Sequence, residues 1–154
     1  MQHKSINMKK IIFSALVLVI AATSCKKDKD EECTLSAASI QGTFKLSSVK
    51  YKASASVPEI EVLTNDLFFE PCERDDTYTL GSGNVFSYND AGTSCTPSGS
   101  YSGTWGLTGS SLTINDGFDT FTLNVSSFAC GSMTATASDF DVTGDQISFV
   151  FTRQ

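Results

Sequence analysis

Residues 103–126 read GTWGLTGSSLTINDGFDTFTLNVS, and this stretch decides the fold. Apolar and polar side chains alternate on either side of two turn-forming groups, Thr108–Ser111 and Asp116–Gly117. The apolar residues of the last segment that share one face are Phe121, Leu123 and Val125. A period of two is typical of a strand with one buried face, and Gly, Ser, Asn and Asp are the residues that turns favour. The stretch therefore predicts three antiparallel strands joined by hairpins.

The same alternation continues on both sides of this stretch, and no part of residues 33–154 has sustained helical periodicity. A further short strand or helix is expected near residues 59–63. The predicted strands are Phe44–Lys52 with a bulge before Val49, Leu67–Phe69, Thr77–Leu80, Val85–Tyr88, Gly99–Leu107, Leu112–Asn115, Phe118–Ser126, Ser132–Ala137, Phe140–Val142 and Gln146–Thr152. The order predicts an all-β fold, an antiparallel up-and-down meander of about eight strands closed as a barrel or sandwich. Closure removes the edge strands that would otherwise aggregate.

The charge balance limits the partners of this domain. From Cys33 onward the chain carries thirteen acidic and five basic residues. An acidic domain without a basic patch repels phosphate backbones and anionic lipid heads. We therefore expect no nucleic-acid partner, and we expect a monomer.

The histidine content limits the chemistry. The only histidine is His3, which precedes the predicted domain. Ser-His-Asp and Cys-His nucleophile systems and histidine metal sites are therefore excluded from that domain. We predict a protein that is not an enzyme and that has no cofactor and no metal ion. A pair of carboxylates performing glycoside hydrolysis remains a weaker hypothesis, because sequence cannot place two of them across a cleft.

A group of acidic residues surrounds Cys72 and offers oxygen ligands of the kind that Ca²⁺ prefers. Its members are Glu70, Glu73, Asp75 and Asp76. None of these segments has the Asp-x-Asp-x-Asp-Gly order of a calcium loop. A solvated turn in which Asp75 or Asp76 holds backbone amides is the favoured interpretation.

Four cysteines follow Cys25 in the chain: Cys33, Cys72, Cys95 and Cys130. An even number in an exported chain predicts two disulfides, with three possible pairings. Cys72 and Cys95 flank a predicted hairpin, so the favoured pairing is Cys72–Cys95 with Cys33–Cys130. The Cys-x₂₋₄-Cys spacing of zinc sites is absent.

The first 25 residues have the order of an export signal. Lys9 and Lys10 precede an apolar run, Ile11–Ala22, and small residues then lead to Cys25. The run is shorter than the ~20 residues that cross a bilayer. It therefore predicts a removable signal peptide over residues 1–24.

The segment around Cys25 resembles the bacterial lipobox, which implies that Cys25 is acylated and becomes the first residue of the mature protein. Residues 25–35 then form a charged tether, and residues 36–154 form the domain. This implies a lipoprotein of the cell envelope, held in the outer membrane through its lipid. The acidic residues after Cys25 resemble a surface-display signal of Bacteroidetes lipoproteins, and a plain flexible linker is the alternative.

Four segments together resemble the lipocalin-like lipoproteins of Bacteroidetes. They are Ile40–Leu46, Cys72–Leu80, Gly103–Leu107 with Ser111–Ile114, and Ile147–Thr152. The first is similar to the Gly-x-Trp opening strand of lipocalins, with Phe44 in place of tryptophan. The resemblance implies a small up-and-down β-barrel on a lipid tether.

Six aromatic residues fall on the predicted inward face. They are Phe44, Phe86, Trp105, Phe121, Phe149 and Phe151. An eight-stranded barrel can hold one small molecule, so these residues are the candidate binding site for an apolar ligand. The alternative is a packed interior, in which the protein binds protein or glycan through polar loops, chiefly residues 89–98.

Overall fold

The computed structural model describes residues 33–154, which form an antiparallel sheet that closes on itself. The strands are β1 (Gly42–Lys52), β2 (Ile60–Glu61), β3 (Thr77–Leu80), β4 (Val85–Asn89), β5 (Tyr101–Thr108), β6 (Ser111–Asn115), β7 (Thr120–Ala129), β8 (Ser132–Ser138) and β9 (Gln146–Arg153). Pairing of β1 with β9 closes the barrel, and the two-residue β2 lies beside β1. The predicted all-β barrel of eight strands in meander order is confirmed.

The predicted signal peptide and Cys25 lie outside the described residues, as does most of the predicted tether. Within residues 33–154 the structure contains no helix with the length and apolar character needed to span a bilayer.

The strand connections distinguish the two ends of the barrel. Because neighbouring strands run in opposite directions, alternate connections lie at the same end. The end that carries short turns, which we call the closed end, has the connections 81–84, 109–110 and 130–131. The opposite end, which we call the open end, has the connections 53–76, 90–100, 116–119 and 139–145.

The closed end is plugged by an aromatic ring under a guanidinium group. Phe44 is 1% exposed, and the Arg153 guanidinium carbon lies 4.9 Å from the centre of its ring. Arg153 also donates hydrogen bonds to the carbonyl oxygens of Ser39 at 2.7 Å, Gln41 at 2.5 Å and Cys130 at 2.7 Å. One side chain therefore fastens the segment before β1 to the β7–β8 turn and covers the floor of the barrel.

The bulge predicted in the first strand is confirmed. The register of β1 against β9 shifts between Leu46 and Ser48, so one residue of β1 is unmatched. Alternation therefore changes phase, and Leu46 and Val49 both enter the core although they are three residues apart. A bulge of this kind bends the strand and increases its twist, which helps a small sheet to close.

Two predicted strands are wrong. Leu67–Phe69 is a turn, because Asn65 accepts hydrogen bonds from the N–H of Leu67 through its side chain and from Phe68 and Phe69 through its carbonyl. The segment 140–142 is also a turn, organised by the carboxylate of Asp145. In both segments a local side-chain acceptor competes successfully with strand pairing.

Candidate ligand pocket at the open end

The barrel encloses an apolar cavity of about 300 Å³ beneath the open-end connections. Its aromatic lining residues are Phe69, Tyr78, Phe86, Tyr101, Phe121, Phe140, Phe149 and Phe151. Its aliphatic lining residues are Leu46, Ile114, Leu123 and Ala137. The volume is at the lower limit of cavities that hold a small organic ligand. None of these lining residues carries a charge, so the cavity suits the uncharged part of a molecule.

The structure brings four of the six predicted ligand-binding aromatics together. Phe86, Phe121, Phe149 and Phe151 line the cavity. The other two do not line it, and their assignment to the ligand site is corrected: Phe44 and Trp105 are in the core of the closed end. Both have partners there, since Phe44 lies under Arg153 and the Trp105 indole N–H donates to the carbonyl of Gly81 at 2.9 Å.

Four aromatic lining residues were missed by the sequence analysis. Tyr78 is two residues from Leu80, and Tyr101 is four residues from Trp105, so each tyrosine shares a strand face with an apolar residue. This period of two was a signal that could have found both tyrosines. Phe69 and Phe140 lie in the two segments that are turns and not strands. No periodicity predicts where a turn residue points.

The mouth of the cavity is bordered by exposed rings. Phe140 lines the cavity and is 54% exposed, and its ring centre lies 6.3 Å from that of Phe149. Phe118, which is 83% exposed, makes an edge-on contact with Tyr101 at 6.3 Å. Apolar rings that remain in water beside an apolar cavity mark a surface for ligand or partner contact.

A group of tyrosines forms one wall of the barrel beside the cavity. The rings of Tyr88 and Tyr101 stack at 4.8 Å, and Tyr78 meets Tyr88 edge-on at 5.3 Å. Burial raises the pKa of Tyr78. The pKa of Tyr88 is also raised, mainly by burial and secondly by the hydrogen bond that its hydroxyl donates to Asp76. These hydroxyls therefore remain protonated and neutral at physiological pH.

The loop that carries Phe140 is held by one buried carboxylate. Asp145 is 2% exposed and accepts hydrogen bonds from the N–H groups of Phe140 at 2.6 Å, Asp141 at 3.0 Å and Val142 at 3.1 Å, and from the hydroxyl of Tyr51 at 3.0 Å. Burial opposes its ionisation, but these donors outweigh burial and hold the pKa of Asp145 below its usual range. The charged carboxylate thus positions Phe140 at the mouth.

The polar loop that was proposed as an alternative binding surface lies at the same end. Asp90 begins it and accepts hydrogen bonds from the N–H groups of Cys95 at 3.1 Å and Gly99 at 3.2 Å. Burial by itself would raise the pKa of Asp90. These hydrogen bonds and one from Ser98 outweigh burial, so the pKa of Asp90 lies below its usual value. The loop is therefore built around an internal acceptor.

The acidic residues around Cys72 hold the backbone. Asp75 accepts from the N–H of Thr93 at 2.9 Å, and Asp76 accepts from the N–H of Ala91 at 2.9 Å, which confirms the favoured interpretation of this turn. Glu73 accepts from the N–H of Glu70 at 2.7 Å. Glu70 approaches the sulfurs of Cys72 and Cys95, but these are bonded to each other and are not metal-binding thiolates.

Two disulfides are present among the described residues. Cys72 is bonded to Cys95 at the open end, and Cys33 is bonded to Cys130 at the closed end. This is the pairing that the hairpin argument favoured. The first bond links the connection that carries Phe69 to the loop after β4, so it braces one side of the mouth.

A closed meander of eight antiparallel strands, with a plugged floor and an apolar cavity under the opposite end, defines a barrel of the ligand-binding or binding-module kind. Residues 40–135 match the family model of the lipocalin-like domain, and the chain belongs to this family. No curated protein and no solved structure matches the chain significantly. The predicted lipocalin-like resemblance is thereby confirmed.

Proposed function

We propose that this chain is a binding protein of the bacterial cell envelope that holds a small apolar molecule in its barrel and performs no catalysis. The single observation that carries the proposal is the cavity of about 300 Å³ with an uncharged, mainly aromatic lining. Aromatic rings offer large apolar area at low cost in side-chain freedom, which favours binding of flat or acyl groups. The rival proposal, a fully packed barrel, would contain no cavity of this size.

Binding can be tested with N-phenyl-1-naphthylamine, a neutral apolar dye that fluoresces outside water. The domain of residues 33–154, produced with its disulfides, is expected to bind the dye with a Kd on the order of 10 µM, given the usual binding energy per ligand atom. Ala137→Trp introduces an indole into the cavity and is expected to weaken binding at least tenfold.

The matched control places the same indole outside the cavity. Ala129 is exposed and lies at the end of β7 on the closed side, so Ala129→Trp is expected to retain the affinity of the unmodified domain. Melting curves of both variants show whether they are folded. Equal dye affinity in Ala137→Trp and Ala129→Trp, with both folded, would show that the dye binds elsewhere and would refute the proposal.

The anchor is the second part of the proposal. Signal-like residues 1–24 and the lipobox-like segment at Cys25 support attachment to the outer membrane through a lipid on Cys25. Cys33 is bonded to Cys130 at the closed end, so a tether that precedes Cys33 joins the barrel opposite to the mouth. With a lipid on Cys25, this attachment favours a mouth that faces away from the anchoring membrane.

Lipidation can be tested by expressing the full chain in bacteria supplied with radiolabelled palmitate. The mature protein is expected to carry the label and to sediment with membranes. Cys25→Ser is expected to lose all of the label and to leave the membrane fraction, whereas Cys33→Ser, another cysteine of the same region, is expected to keep the label. Equal labelling of the Cys25→Ser variant would refute the anchor.

A further inference from the structure

All the acidic side chains of the described residues lie toward one end of the barrel. The thirteen acidic residues of the segment 33–154 fall within 59–76, at position 90, within 116–119 and within 139–145, which are the open-end connections. The closed-end turns contain none. The field around the mouth of the cavity is therefore negative, and the cavity walls, being apolar, concentrate that field at the opening.

The basic residues near the open end have acidic neighbours. Arg74 forms a salt bridge with Asp66 and donates to the carbonyl of Phe69 at 3.1 Å. Lys50 lies opposite Glu61 across the β1–β2 pair, and Lys52 lies with Asp145 in a small polar cleft beside the barrel. None of the cavity-lining residues in the described chain is basic, so nothing there would pair with an anionic head.

Two described carboxylates in the open-end connections do not hold the fold through side-chain contacts. The side chains of Asp119 and Asp141 make no hydrogen bond or ion pair within the described residues, and both are exposed. Each carboxylate directly follows an exposed ring in the sequence, Phe118 before Asp119 and Phe140 before Asp141. Phe118 contacts Tyr101 of the cavity lining, and Phe140 lines the cavity itself. The open-end connections therefore carry two unpaired carboxylates and two exposed aromatic rings, and both kinds of group attract cations.

We propose that the cavity selects amphiphiles with a cationic head, such as an alkyl ammonium, and that the apolar part of the ligand lies inside while the head remains at the mouth. This deepens the proposed function and rests on it. An anionic amphiphile of the same length would gain the same apolar burial but would lose affinity through repulsion by the carboxylates.

The proposal is tested with three decyl compounds that differ in their heads: decyltrimethylammonium, decyldimethylamine oxide, which is neutral at pH 8, and decanoate. Each displaces N-phenyl-1-naphthylamine from the domain of residues 33–154, below the concentration at which it forms micelles. At about 10 mM ionic strength, where charges act over roughly 30 Å, the cation is expected to bind at least tenfold tighter than the anion. The difference is expected to shrink several-fold at 0.5 M salt.

Matched variants locate the effect. Asp119→Asn with Asp141→Asn is expected to reduce the preference for the cation about threefold or more. Thr108→Lys with Ser132→Lys changes the net charge by the same amount at exposed closed-end positions and is expected to retain most of the preference. Equal changes in the two variants would overturn the assignment of the effect to the mouth.

The outcomes separate the two proposals. If all three decyl compounds bind with one affinity, selection by the head is overturned while cavity binding stands. If neither the dye nor any decyl compound binds, the proposed function itself is overturned.

Discussion

Replacing Cys33 and Cys130 together by alanine is expected to lower the free energy of unfolding by about 4–5 kcal/mol. This bond closes a loop with a sequence separation of 97, almost the whole domain, so its loss returns a large amount of chain entropy to the unfolded state. It also releases the segment before β1, which Arg153 holds against the closed end. A loss of this size is a large part of the 5–15 kcal/mol by which ordinary domains are stable.

The measurement is urea denaturation followed by the fluorescence of Trp105, which is buried at the closed end. The matched control is the double replacement of Cys72 and Cys95, whose sequence separation is 23, so the expected loss is about 3 kcal/mol. If removing the shorter bond costs as much as removing the longer one, loop entropy is not the source of the stabilisation.

Phe44→Ala is expected to destabilise the domain by about 3–5 kcal/mol, the usual cost of deleting a buried phenylalanine. The ring is 1% exposed and packs edge-on against Phe151 at 6.4 Å. Its loss leaves a cavity in the floor and removes the surface beneath the Arg153 guanidinium. Because Phe44 does not line the ligand cavity, any residual folded protein is expected to bind the dye as before.

Phe118→Ala is the control, since it removes the same ring from a position that is 83% exposed. Its expected effect on the free energy of unfolding is within about 0.5 kcal/mol. Chemical denaturation of both variants checks the comparison. Similar losses at the two positions would mean that the closed end is not the packed floor described above.

The strands that could be predicted from sequence are those in which apolar residues that face the barrel interior alternate with polar residues. In β7, Leu123 and Val125 alternate with polar residues and are buried, as the period of two requires. The bulge in β1 was also visible, because a change in the phase of alternation is a local property. The inward direction of Phe86, Phe149 and Phe151 follows from the same pattern.

The pattern by itself could not separate core from cavity. Phe44 and Phe86 both point inward, yet one fills the floor and the other lines the cavity. Whether an inward ring fills the floor or lines the cavity depends on its height along the barrel axis. That height is set by the register of strands distant in the chain, such as β1 against β9.

The sequence alone determined the class of fold and the absence of histidine from residues 33–154, because alternation, turn residues and composition are properties of the chain itself. Only the tertiary structure decided the site. Phe69 and Phe140 reach the cavity from turns whose shape depends on hydrogen bonds to Asn65 and Asp145. The negative mouth likewise exists only because closure of the barrel gathers connections that are far apart in sequence, and contacts of that kind have no local signature in the sequence.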